Sequence, residues 1–144
     1  MQTCELKRSE CLDALRSVSH GQVAISSGAL PAIEPVKFIV ESDSIVFGVA
    51  AGTRLAAATD NAVVGFQADS RAGDGVTEWS VLVVGLARRV IDPSALIRLR
   101  AFIPTPWDGP VADYVVRIQI RNLEGKRFLP AAGGQPVSLA GITR

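Results

Sequence analysis

Two hydrophobic spacings alternate along the chain. Between residues 9 and 20, Leu12, Leu15 and Val18 recur every three positions behind Ser9 and Glu10. This predicts a helix capped by Ser9 and stopped by Gly21, with His20 at its C-terminal end. From Gln22 the period shortens to that of strands. Residues 23–26 form a short strand, Ser27-Gly28 a turn, and residues 30–40 an extended segment. Pro31 and Pro35 remove two amide donors from that segment and so favour an edge or bulged position. A polar turn at 41–44 leads into a buried strand over 45–50. Gly52 then makes a tight turn into a helix that opens at Thr53 and Arg54 and stops near Asp60-Asn61. Residues 62–68 are the next strand, 69–75 a loop with two glycines, and 77–91 a long strand bent at Gly85. Asp92 caps a third helix with Pro93 in its first turn. An irregular loop over 104–110 is followed by a strand over 114–120 and a short hairpin over 122–128. The Ala/Gly/Pro-rich residues beyond Leu129 read as a poorly ordered tail, which leaves about 9–128 as the ordered part of a single domain, 1–144.

Short loops between strands indicate hairpins and an antiparallel sheet. Few polar positions lie on either face, a burial problem that a closed or nearly closed barrel solves. The fold class read from the pattern is therefore mainly β, an antiparallel barrel with peripheral helices. Composition sharpens this. Of the 144 residues 48% are hydrophobic but only 6% aromatic, so the apolar mass is Ala, Val, Ile and Leu. Such an excess in one small domain implies that a partner subunit covers some of it. The net charge of +1, with no basic block or stripe, argues against a nucleic-acid surface. No apolar run approaches the roughly eighteen residues of a membrane span, and the first ten residues hold no signal-peptide core. A cytoplasmic protein is expected. If Cys4 and Cys11 were both helical, their rise of about 10 Å would be too long for a disulfide. Two thiols and one histidine make no metal cluster, and no nucleophile motif accompanies His20 for hydrolysis.

One turn offers chemistry. A strand, Gly52, Thr53 and Arg54 together place a hydroxyl and a guanidinium where a helix begins, a setting that suits a phosphate. By spacing alone the alternative is an exposed arginine in the first turn of a surface helix.

The succession Gly21-x-Val-Ala, Leu30-Pro-Ala, Pro35-Val-x-Phe38, Ile45-Val-Phe47, Gly52-Thr-Arg-Leu-Ala56, Trp79-Ser-Val-Leu-Val-Val-Gly85 and Val115-Val-Arg-Ile118 resembles the pyridoxamine 5′-phosphate oxidase-like superfamily. It is most similar to its small flavin-nucleotide-binding members. The resemblance implies an antiparallel split β-barrel homodimer with FMN in grooves between the subunits. It makes Gly52, Thr53 and Arg54 the phosphate turn, and puts Pro35, Val36, Lys37, Phe38, Val49 and Ala50 beside the flavin. Trp79 and Ser80 would face the cofactor from the neighbouring subunit. Trp79 reads equally as a core aromatic, Lys37 equally as a solvated strand residue, and Trp107 as a loop anchor. Three departures argue against oxidation of pyridoxamine phosphate. Leu55 stands where a second cation is usual, Gly48 and Val49 replace polar residues, and Gly125-Lys-Arg-Phe-Leu-Pro130 is not the substrate motif. The side chains alone hold no redox pair, so electron transfer to a small organic acceptor would need the cofactor. The deazaflavin F420 is the variant, with Arg71, Arg88 and Arg89 as candidates for its acidic tail. A non-catalytic flavin carrier, a haem module using His20, and a barrel without cofactor are the remaining readings.

Overall fold

The structure is a computed structural model that describes residues 2–70, 78–107 and 109–129. The expected tail, and most of the loop expected at 69–75, lie outside the described residues. Among the described residues eight strands and three helices follow in the order β1 (Gln2–Glu5), α1 (Arg8–Arg16), β2 (His20–Ser27), β3 (Leu30–Lys37), β4 (Ile39–Glu41), β5 (Ser44–Val49), α2 (Arg54–Ala58), β6 (Ala62–Asp69), β7 (Glu78–Arg89), α3 (Pro93–Arg100) and β8 (Tyr114–Leu129). All pairings are antiparallel, and the sheet runs β3-β2-β6-β7-β8-β5-β4 with β1 added to β8.

The two ends of that path are consecutive in the chain. Only Phe38 separates Lys37 of β3 from Ile39 of β4. The sheet therefore has to curl until its outer strands meet, and the Phe38 amide donates to Ser19 O at 3.0 Å at the seam. Strict alternation fills the interior. Val23 and Ile25, Val64, Phe66 and Ala68, Trp79, Val81 and Val83, and Val116, Ile118 and Ile120 all face one buried cluster with Phe38, Ile45, Phe47 and Val49. Each large side chain so buried contributes roughly 1.5–3 kcal/mol relative to exposure. Helix α1 closes one end of the barrel with Cys11 and Leu15. Burial, with the Glu10 carboxylate adding to it, pushes the Cys11 thiol up from its ordinary range. On the outside of β5 and β8, Leu99 of α3 joins Val46 and Val115, so β5 is buried on both faces.

Several expectations are met. Gly28 and Ala29 carry the positive φ angles of the β2–β3 turn, and β3, with Pro31 and Pro35, is an edge strand. Asp92 accepts from the Ala95 amide at 3.0 Å and Pro93 opens α3. Gly85 marks an irregularity in the β7–β8 ladder. The extra residue there is Arg121 of β8, because Val84 pairs with Asn122 and Gly85 with Ile120.

Other expectations need correction. Helix α1 starts at Arg8 rather than after Ser9, because the Glu10 carboxylate accepts from the Lys7 amide at 2.8 Å and fixes the start two residues earlier. It ends at Arg16, so His20 and Gly21 are not its C-terminus but the start of β2. Gly21 is there for space: a Cβ would lie 2.6 Å from the Phe66 ring. Strand β2 is twice the expected length because β3 pairs along all of it. No hairpin forms over 122–128. The strand continues, held by β7 on one side and β1 on the other. Strand β1 escaped notice because its side chains from Thr3 to Glu5 are exposed and carry no apolar alternation. Cys4 is thus in a strand and not a helix, and both cysteines are free thiols.

A Cβ at Gly85 would stand 2.1 Å from Gln119 O, a backbone atom that cannot rotate aside. Gly85→Ala is expected to cost roughly 1–3 kcal/mol. Chemical denaturation should show a lower midpoint with an unchanged slope, and an unchanged midpoint would refute the packing argument.

Candidate functional site

Strand alternation sorts the candidates in and beside the strands onto two faces, while Ala50, Gly52, Thr53 and Arg54 lie in the turn and helix that follow β5. Val36, Phe38, Val49 and Trp79 point into the barrel and belong to its hydrophobic cluster. Trp79 is therefore a core aromatic within its own chain, and its amide donates to Ser70 Oγ at 3.1 Å. Pro35 and Lys37 lie on the other side of β3 from Phe38.

A cavity of about 140 Å3 lies where β3, β5 and α2 approach. Its lining brings together Pro35, Val36 and Lys37 with Glu34, Gly48, Leu55, Pro106 and Trp107. The turn at residues 52–54 adjoins it through Leu55, the next residue of α2, and through Glu34 of β3, the partner of Arg54. Gly52 has φ +81°, open space around it, and leads into Thr53. Thr53 is the N-cap of α2, accepting from the Ala56 amide at 3.1 Å while donating to Ala50 O at 2.8 Å. Its hydroxyl is thus committed to shaping the turn. Helix α2 has five residues. Its dipole is correspondingly small, so Arg54 is the principal source of positive charge at this turn.

Arg54 is half exposed, and its Nε donates to Glu34 Oε2 at 2.8 Å; Nη2 contacts the same oxygen. That pairing uses the Nε–Nη2 edge of the guanidinium. Among the described residues Nη1 makes no hydrogen bond, which leaves the opposite edge for a second acceptor. Glu34 consequently does two things: it orients the fork and reduces its electrostatic attraction for an anion. An ion pair this exposed is screened and contributes little to stability.

A second cavity of about 320 Å3 is lined by His20, Gly21, Gln22, Pro35, Gln67, Ala68 and Asp69. It shares Pro35 with the first. Ser80 belongs to this group, since Gln67 Nε2 donates to its Oγ at 3.2 Å. Outside the core, the candidates therefore divide into the turn at 52–54, a cavity beside it, and a polar cluster with Gln22 and Gln67 further along, with Pro35 as the wall the two cavities share.

Arg88 and Arg89 are elsewhere. They line a separate cavity of about 530 Å3 with Glu41, Asp43, Asp92 and Arg117. Arg89 lies 3.8 Å over the Tyr114 ring and within 3.7 Å of Asp60, and Arg88 Nε donates to Asn61. Arg71 falls outside the described residues. His20 is half of an aromatic contact with Trp107, at 5.9 Å between ring centroids. Among the described residues no group of three His, Cys, Asp or Glu could hold a metal, and no helix is long and apolar enough to cross a membrane.

Sequence reasoning missed Glu34, Gln22, Gln67 and the placement of Trp107. Glu34 left a signal, being the lone acid within an apolar edge strand. For Trp107 the signal was the run of three prolines around it, which restricts a loop enough to hold an aromatic in place.

Comparison with known proteins bears on this arrangement. The family model described as pyridoxamine 5′-phosphate oxidase matches residues 7–127. The protein Rv0080 of Mycobacterium tuberculosis is 32% identical over 133 residues, spanning 89% of this chain and 87% of that one. The structure of the FAD binding protein from Mycobacterium smegmatis is 31% identical with a TM-score of 0.72, covering 88% of this chain and 100% of that one. A structure from Corynebacterium glutamicum, also 31% identical, has a TM-score of 0.76 and covers 88% of this chain and 98% of that one. With the curled antiparallel sheet and the Thr53-Arg54 turn in place, these matches show that the chain belongs to the pyridoxamine 5′-phosphate oxidase-like split-barrel family.

Proposed function

We propose that this protein binds a flavin nucleotide along the two cavities that share Pro35, as a dimer, and serves as an oxidoreductase toward a small organic acceptor. The observation that carries the reading is the ion pair of Arg54 with Glu34, a residue that lines the cavity together with Pro35, Val36 and Lys37. A similar protein, at 31% identity, is an FAD binding protein. The free edge of Arg54 would take a phosphate of FMN or FAD, and the walls at Pro35, Lys37 and Gly48 would flank the ring system. Gln22, Gln67 and Ser80 supply hydrogen-bonding groups further along. When bound, a flavin supplies hydride and single-electron transfer that no side chain here can perform.

Two features narrow the chemistry. Leu55 is a buried apolar wall where a second cation would grip a phosphate, which weighs against a pyridoxamine phosphate oxidase. Arg88 and Arg89 are engaged in a different cavity, which weighs against the acidic tail of F420.

The dimer is supported by the outer face of the sheet. Ile33 of β3, Val63 of β6 and Leu82 of β7 are 64%, 66% and 42% exposed, on the face opposite the core. Exposed apolar rows of this kind mark association surfaces. The carboxamide group containing Gln22, Gln67 and Ser80 adjoins this row, so pairing through it would place the second copy against the groove.

Purified protein titrated with FMN and with FAD should quench flavin emission. Arg54→Ala should weaken binding about ten- to a hundredfold through the lost charge-assisted contact. Glu34→Gln should instead tighten it several-fold, because the fork keeps a partner but the competing charge is gone. Absence of binding by the wild-type protein and by the Glu34→Gln variant would end the flavin reading. Undiminished binding by Arg54→Ala would move the phosphate elsewhere.

Sedimentation velocity tests the pairing. The wild-type protein should run as a dimer, and Val63→Glu with Leu82→Glu should give a folded monomer that binds flavin weakly. A dimer that survives both substitutions would exclude this face.

A further inference from the structure

The loop between α3 and β8 is tied down along β5 at several points. Arg100 donates to Ala112 O at 2.7 Å and to Asp113 O at 3.2 Å. The Asp113 carboxylate in turn accepts from the Ala51 amide at 2.6 Å. Two glycines permit the close approach. A Cβ at Gly48 would lie 2.5 Å from the Ala112 Cβ, and one at Gly109 would lie 2.9 Å from the Ala50 Cβ. The loop therefore covers the outer side of β5 at the point where the resemblance led one to expect polar cofactor contacts.

This mooring delivers Trp107 to the rim of the cavity. The indole lies 5.5 Å from the Lys37 ammonium and 5.9 Å from the His20 ring, at an interplanar angle of 55°. It lines the cavity together with Pro35, Lys37, Gly48 and Leu55. Yet 51% of the residue is exposed, unlike the other tryptophan, Trp79, at 8%. An anchor of a loop buries its ring; this one takes the Lys37 ammonium over its ring and the tilted His20 ring beside it, and still leaves half of the residue open at the cavity.

We propose that Trp107 is the ring-stacking wall of the flavin site, supplied in cis by the moored α3–β8 loop, with Lys37 and His20 setting the tilt of the indole. This rests on the flavin reading above. Aromatic stacking requires a planar partner with a centroid within about 4.5–7 Å, and the isoalloxazine system is such a partner. Gly48 is then explained: its lost side chain makes room for the loop that brings the indole.

The test uses the photophysics of contact. An indole in van der Waals contact with an excited flavin quenches it by electron donation, whereas a phenyl ring does not. FMN bound to the wild-type protein should be nearly dark. Trp107→Phe should retain FMN through gel filtration, with an affinity close to wild type, and the bound FMN should become severalfold brighter. Trp107→Leu should also be bright and should bind roughly two- to tenfold more weakly. Bound FMN that stays equally dark in both variants would overturn the proposal and leave the flavin site standing. Failure of the wild-type protein to bind FMN, FAD or riboflavin would overturn both.

Discussion

The structure depends on one topological constraint: the first and last strands of the sheet path are neighbours in the chain, separated by Phe38. A flat sheet cannot bring its opposite edges within one residue of each other. Closure is thus imposed by connectivity, and the buried Val, Ile and Phe side chains fill the space that closure creates. The seam also locates the candidate site. Where β3 ends and β5 passes by, the curled sheet leaves a notch, and α2 with the Trp107 loop borders it.

Strand β8 transmits that closure to the rest of the molecule. Over sixteen residues it pairs with β5 near its start, β7 along its length and β1 at its end. A strand that long between unequal partners has to absorb a mismatch in twist, and it does so with the extra residue Arg121 opposite Gly85. Helix α1 then descends on β8 at Gly125, where a Cβ would lie 2.4 Å from the Cys11 sulfur. Glycines at positions 85 and 125 thus serve approach of backbone or side chain rather than turning.

Much of this was legible in the amino-acid sequence, for identifiable reasons. The alternating apolar runs of β6 and β7 are local and strong, and capping at Asp92 and Thr53 depends on residues within one turn. The start of α1 was misplaced because Glu10 caps from inside the helix, which competes with the simpler hydroxyl signal at Ser9. Strand β1 and the second half of β8 were illegible because each is stabilised by the other across more than a hundred residues, with no apolar period in β1 to announce it. The candidate site was half legible. Arg54 follows from the strand–Gly52–helix turn and from the resemblance, Pro35 to Lys37 from the resemblance alone, whereas the Glu34 pairing and the seat of Trp107 depend on which strands the closure brings together.

The prolines of β3 have a consequence for assembly. An edge strand with a full row of amides is a template for adding another strand, and uncontrolled addition gives fibres. Pro31 and Pro35 interrupt that row on the strand that terminates the sheet. Growth of the sheet from this border is thereby discouraged. Any association of copies is steered toward stacking of faces, which closes after two copies where the same face meets itself.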